Sequence, residues 1–371
     1  MKNYAVLACM LILVLVSCTN NVPLRSQEPV LLTKEKSVVQ HVEVIEKEQV
    51  IVPEEVRPVD SVDVTTPPPK SLERDSVWII DVRTLKVLQK IAVGKEPAGV
   101  AVSSNGYYAL VSNSGDNTVS IIDTGEKEVV ATVSVGAKPR AVVVTPVTNV
   151  GVVANIDEHS VSIINLTSKT ADAKIQVSKR PAALVASPEG KYVFVASASE
   201  GVLDKINIFL GSVTGKAKVG AIPFGVAITS EKQKIFVANE KSGGVSVIDA
   251  IDMSRKKKYD VEVGVQPRGI ALGLNDREVY VVNKGDGLFS VLDAEKYGVE
   301  KQFSVGVVPI AVLFVPNAGT SGRIFVTDSK KNEVVVIDRQ TWEIIQTVHV
   351  GENPVALAAT KDLLFVVNQG E

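Results

Sequence analysis

Val135-Gly136-Ala137-Lys138-Pro139, followed by Arg140-Ala141-Val142-Val143-Val144, decides the fold, because the chain repeats this phrase seven times. The other copies of its opening are Val93-Gly94-Lys95-Glu96-Pro97, Val177-Ser178-Lys179-Arg180-Pro181, Val219-Gly220-Ala221-Ile222-Pro223, Val263-Gly264-Val265-Gln266-Pro267, Val305-Gly306-Val307-Val308-Pro309 and Val350-Gly351-Glu352-Asn353-Pro354. Their prolines lie 42, 42, 42, 44, 42 and 45 residues apart. A fixed period near 42 means stacked supersecondary units, each too small to bury its own apolar face.

Each unit has the same inner order. A short strand of modest volume follows the proline (Val142-Val143-Val144, Val226-Ala227-Ile228), then a turn rich in Gly, Asn or Pro (Ser187-Pro188-Glu189-Gly190). A second strand ends in a polar residue, as in Val152-Val153-Ala154-Asn155, Phe236-Val237-Ala238-Asn239 and Phe365-Val366-Val367-Asn368. Six residues later a third strand begins, as in Val119-Ser120-Ile121-Ile122-Asp123 and Val161-Ser162-Ile163-Ile164-Asn165, and a fourth leads into the next Val-Gly. Four β-branched runs per repeat describe one propeller blade, and no window carries a sustained helical period. The last repeat stops after two strands, and the first starts at its third, Val77-Trp78-Ile79-Ile80-Asp81. Joining the two ends closes the ring and protects its edges. The expectation is an all-β, seven-bladed propeller with four antiparallel strands per blade and N-terminal strands completing the C-terminal blade.

The pattern resembles the YVTN-repeat β-propellers, a family that includes surface-layer-like and other bacterial exported proteins. The likeness covers roughly residues 76–371 and rests on the second-strand phrase, the Val-Ser-x-Ile-Asp third strand and the Val-Gly-x-x-Pro turn. It is specific for fold and weak for function, since one fold hosts many functions.

Ahead of the repeats, Lys2 is followed by an apolar run from Tyr4 to Val16, short for a bilayer span and shaped like a signal peptide. Leu15-Val16-Ser17-Cys18 looks like a bacterial lipobox, which implies cleavage before Cys18 and its acylation. An ordinary secretory signal with an incidental cysteine is the alternative. The expected division is a signal peptide over 1–17, lipidated Cys18 and a flexible tether over 18–75, and the propeller over 76–371. Thr19 rather than Asp after the cysteine leans towards an outer-membrane address over the inner membrane. The only cysteines are Cys9 and Cys18, so the mature chain has no possible disulfide and no thiolate metal site. A net charge of −2 over 371 residues gives no electrostatic footprint for nucleic acid. A monomer is expected.

A residue present in every blade is structural first: the strand-ending Asn bonds turn backbone, the glycine of Val-Gly permits a special backbone angle, and the proline fixes strand entry. Function is sought where one copy departs from the others. The residue after the proline reads Ala98, Arg140, Ala182, Phe224, Arg268, Ile310 and Val355 around the central funnel. Arg140 and Arg268 are expected nearly opposite one another, with Arg180 and Phe224 between them. Arginines facing one pocket suit a carboxylate or phosphate. The alternative is that they are solvated or paired with nearby acids. A second departure is the stretch from Ser197 to Ile206, nine steps where other complete copies have six. Glu200, Val202, Leu203 and Asp204 in it are expected to form an exposed loop that meets a partner or pairs with the arginines; drift in a tolerant loop is the alternative. Arg255-Lys256-Lys257-Lys258 is expected in a loop on the opposite face. His41, His159 and His349 fall in unrelated places, so no metal site and no cofactor are expected.

The favoured reading is a non-enzymatic binding or scaffold module of the cell envelope, held by a lipid anchor, whose partner is an envelope protein or an acidic ligand. The alternative is a hydrolase of the lactonase type, with Glu200 or Asp204 as its acid or base. A redox partner resembling haem- or copper-associated propellers is disfavoured by the shortage of His and mature Cys.

Overall fold

A computed structural model describes residues 72–370 apart from 232 and 320. The expected signal peptide, Cys18 and the tether as far as residue 71 lie outside the described residues. The described residues form 28 strands, β1 to β28 in chain order, arranged as seven four-stranded antiparallel sheets. Helix among them is confined to two single 3-10 turns, Lys257–Tyr259 and Leu274–Asp276. The molecule is a seven-bladed β-propeller.

The blade built from β7 (Pro139–Val144), β8 (Val150–Asn155), β9 (Ser160–Asn165) and β10 (Thr170–Gln176) shows the grammar. Its strands pair in chain order, with Pro139 opposite Asn155 and Asn155 opposite Ser160. Every inner strand starts at a repeat proline: β3 (Pro97–Val102), β7, β11 (Pro181–Ala186), β15 (Pro223–Ile228), β19 (Pro267–Leu272), β23 (Pro309–Val315) and β27 (Pro354–Ala359). Each lies against the next, and β27 returns to β3, so the seven enclose the axis.

The turn before each inner strand works differently from the expectation. Left-handed backbone falls on the residue before the proline, with φ of 49° at Glu96 and Lys138, 57° at Arg180, 52° at Ile222, 55° at Gln266 and 49° at Asn353. The glycine two places earlier is needed for close approach, and of these glycines only Gly264, at φ 149°, also takes a positive backbone angle. A Cβ on Gly136 would stand 2.5 Å from the Cγ of Asn155, and one on Gly306 would stand 2.5 Å from the Oδ2 of Asp328. The strand-ending residue against which the glycine packs is fully buried, and Asn155 donates to Ser160 Oγ at 3.0 Å and Ser162 Oγ at 2.9 Å. The asparagine therefore ties strand two to strand three, and the glycine is the only residue thin enough to pass over it.

One blade changes all three partners at once. Ser178 replaces the glycine, Ser197 replaces the asparagine, and Asp204 replaces the third-strand serine. The smaller Ser197 makes room for the Ser178 side chain. Asp204 then accepts from the Ser178 backbone N–H at 2.9 Å, from Ser178 Oγ at 3.0 Å and from Ser197 Oγ at 3.3 Å, while Lys216 Nζ lies 3.3 Å away. This overturns the expected partner loop. Ser197 ends β12 (Tyr192–Ser197) and pairs with Val202, the first residue of β13 (Val202–Asn207), in the same register as Asn155 with Ser160. The connection is an ordinary four-residue turn, 198–201. Val202, Leu203 and Asp204 are strand residues, 5%, 0% and 0% exposed. Glu200 stays in the turn and accepts from the Lys179 backbone N–H at 3.1 Å.

The core lies between blades rather than within them, because each sheet is apolar on both faces. The middle of strand two carries Phe194, Phe236, Tyr280, Phe325 and Phe365, all fully buried. Phe236 packs with Val279 and Val281 of the next blade, and Phe365 packs with Val100, Ala109 and Val111. Each buried aromatic contributes about 2–3 kcal/mol of transfer free energy.

The ring closes as the sequence predicts. β1 (Ser76–Asp81) lies between β2 (Val87–Ala92) and β28 (Leu363–Asn368), so the closing blade reads β27-β28-β1-β2. The register runs from Ser76 opposite Asn368 to Asp81 opposite Leu363. Trp78 stands where other blades carry the third-strand serine and donates from Nε1 to Leu72 O at 2.8 Å, which brings residues ahead of β1 onto the blade.

Candidate functional site

The seven residues that follow the repeat prolines line one open cavity of about 310 Å³ on the propeller axis. Ala98, Ala182, Ile310 and Val355 make most of its wall apolar; Arg140, Arg268 and Gln369 supply its polar side chains. Strand geometry explains the placement. The proline fixes entry, and the next side chain turns to the axis in every blade.

The arginines are not held apart across the opening as the ring positions suggest. Both converge on Phe224, with the Arg140 guanidinium carbon 4.7 Å and the Arg268 carbon 4.6 Å from the ring centroid. Ring position fixes Cα, and the long side chain then swings towards an aromatic face that attracts cations. Arg180 does not line the cavity. It is exposed, in the left-handed position before Pro181, and its backbone N–H donates to His159 Nδ1 at 3.3 Å.

Charge at the mouth is unbalanced. Among the described residues Glu240 is the carboxylate near the pair, 3.8 Å from Arg268 Nη1 and 3.9 Å from Lys284 Nζ, and its Oε2 is buried without a hydrogen bond. Arg140 has no ion pair and no side-chain hydrogen bond among the described residues. Burial, the Arg268 charge and the Arg180 charge push its pKa down to about 10, against the pull of Glu240. Burial also lowers that of Arg268, again opposed by Glu240. Sequence reasoning missed Glu240. The signal was present: the residue after the strand-two terminus is Ser114, Ile156, Ala198, Glu240, Lys284, Ser329 and Gln369 around the ring. The same search for departures, applied one position further on, finds Glu240 and Lys284.

The remaining candidates are structural. Arg255 is ion-paired to Asp260 at 2.5 Å and donates to Val219 O at 3.0 Å, so the basic run begins with a brace between neighbouring blades rather than a free cation. His159 is a turn residue at φ 57° whose Nδ1 is engaged by backbone.

A family model for the cytochrome D1 heme domain matches residues 145–262, under half of the chain. The matched stretch includes Phe224 and Glu240 but neither Arg140 nor Arg268. Among solved structures the chain is similar to hydrazine synthase of Kuenenia stuttgartiensis, with a TM-score of 0.61 and 20% identity over 71% of this chain and 89% of that one. What these likenesses share is the propeller. No curated protein matches the sequence.

The first likeness raises a haem, and the residues present do not fit one. Iron in a haem takes an axial His, Cys, Met or Tyr. None of these lines the funnel, and its volume is at the small end for a ligand site. Met253 is packed in an inter-blade core.

Proposed function

We propose that this propeller is a capture module for an anionic ligand, which it takes at the funnel between Arg140 and Arg268 on the Phe224 face. One observation carries the reading: the half-buried Arg140 guanidinium makes no ion pair among the described residues and shares the funnel with a second arginine, Arg268, on a ring whose other five positions are alanine or apolar. An unpaired charge removed from water is costly, and the same donors turned into an open cavity suit a carboxylate or phosphate. We take the chain as a binder rather than a lactonase-type hydrolase because the funnel lining offers no acid, base or nucleophile among the described residues, and Asp204 is locked in a strand. The finer reading as a YVTN-repeat propeller of the envelope rests on the repeat phrases and on Cys18. Replacing Cys18 with Ala should release the protein from washed membranes, and retention there would end the lipoprotein reading.

The test of the funnel is calorimetric titration of wild type and R140A/R268A with acetate, succinate and phosphate at two salt concentrations. At least one anion should bind wild type, bind more weakly as salt rises, and lose its binding in the double variant. Equal heats from both proteins would remove the funnel as the site.

A further inference from the structure

The funnel wall is divided. Arg140 and Arg268 are gathered on one ring, 4.7 Å and 4.6 Å from the Phe224 centroid. The rest of the wall is made by Ala98, Ala182, Ile310 and Val355, with no further cation among the lining residues. Gln369 follows β28 in the closing blade, three blades from Phe224, the widest separation that a ring of seven allows. It is half-buried, and its side-chain amide has no hydrogen bond among the described residues.

Charge is divided as unevenly. Among the described residues Glu240 is the carboxylate within ion-pair reach of this group, and Arg268 and Lys284 share it. Three cations, Arg140, Arg268 and Lys284, thus stand against one carboxylate, an excess of two positive charges. Two negative charges on a ligand match that excess, and the wall decides their spacing. A dicarboxylate spanning the funnel presses its second carboxylate against aliphatic side chains, where an ion without a partner is costly. Both charges therefore belong on one head group. A phosphate monoester carries both on one phosphorus at neutral pH, since its second pKa is about 6. The forked donors of arginine match its oxygens.

We infer that the funnel takes a small phosphomonoester as its dianion, with the phosphate held by Arg140 and Arg268 and the organic group turned across the apolar wall to Gln369. This rests on the funnel reading above and specifies the ligand class for it. A cavity of about 310 Å³ limits the organic group to a few carbons. The free amide of Gln369 selects a group that ends in a hydroxyl or another hydrogen-bonding function, because an apolar end leaves that amide unpaired.

The experiment titrates the full chain calorimetrically with glycerol phosphate, methyl phosphate, inorganic phosphate, methyl sulfate and succinate at pH 8 and pH 5. Methyl sulfate has the shape of methyl phosphate and a single charge. At pH 8 methyl phosphate should bind at least about tenfold tighter than methyl sulfate, because its second charge meets two arginines. At pH 5, where the ester is mostly a monoanion, that ratio should fall towards one. Glu240→Gln removes the competing carboxylate and should tighten methyl phosphate by about fivefold. Glycerol phosphate should bind at least about threefold tighter than methyl or inorganic phosphate, and Gln369→Ala should remove that gain. Circular dichroism checks that each variant keeps the fold. Methyl sulfate or succinate binding as tightly as methyl phosphate at pH 8, and lost in R140A/R268A, would overturn the phosphomonoester and leave the funnel standing. Inorganic phosphate binding as tightly as glycerol phosphate would do the same. Binding of every probe that survives R140A/R268A, or no binding of any probe, would overturn both.

Discussion

Replacing Arg140 with Met should stabilise the fold and abolish anion capture. Met is two heavy atoms shorter than Arg; it removes the charge and keeps an apolar, flexible side chain that can turn towards the Phe224 face. A pKa pushed down to about 10 means that the folded protein disfavours the charged guanidinium by about 3 kcal/mol relative to water. Partial access through the open mouth discounts this to about 1–2 kcal/mol. The lost cation–π contact with Phe224, worth about 0.5–1 kcal/mol, is offset by a sulfur–aromatic contact of similar size. The net gain of about 1–2 kcal/mol corresponds to a Tm higher by about 2–5 °C. The pH dependence has a definite sign. Because its folded pKa is the lower, wild-type stability should gain on that of R140M as pH is raised towards 10, with the guanidinium still largely protonated. Scanning calorimetry and urea melts at pH 7 and pH 10.5 measure both effects. Added phosphate or acetate should raise the wild-type Tm and leave R140M unmoved. If R140M is less stable than wild type by more than about 1 kcal/mol, the guanidinium has a partner and the argument for an anion site fails.

Gly136→Ala should cost about 1–3 kcal/mol, because the new methyl meets Asn155, which is buried and cannot yield, whereas Gly298→Ala, with nothing within 4 Å, should be neutral or slightly stabilising; urea midpoints compare them. Asp81, Asp293 and Asp338 end their strands by accepting backbone N–H groups of Thr84, Lys296 and Thr341, which hold their pKa values below the usual carboxylate range. The stability they add is present above about pH 4 and is lost as pH falls through their folded values. Asn165 and Asn207 make the same turn bonds uncharged, so D81N/D293N/D338N should flatten the acid limb of the stability profile with little change at pH 7; an unchanged acid limb would refute this.

The repeat was legible because its signals are local. Each proline starts an inner strand and each Asn155-type residue ends a second strand, so blade number and ring closure followed from spacing alone. The partner loop was misread because Leu203-Asp204-Lys205-Ile206 places charges where the other copies read Val-Ser-x-Ile. Only the paired changes at Ser178 and Ser197 reveal that Asp204 is still an interior strand residue. The arginine positions were legible as Cα positions, but their meeting over Phe224 depends on side-chain reach across the axis. Glu240 escaped because its partners, Arg268 and Lys284, are distant in sequence and close only once the blades are packed.

The seat of β1 between β2 and β28 also sets a schedule for biosynthesis. Ser76 and Asn368, which meet through a 3.5 Å side-chain contact, are 292 residues apart. At a translation rate of about 5–20 residues per second, about 15–60 s pass between their emergence from the ribosome. Through that interval Val77, Ile79 and Ile80 form an apolar strand with one edge open, and six finished blades cannot supply the missing neighbour. A prematurely terminated chain would leave the same edge open, offering proteases and holdase chaperones a feature that ring closure removes.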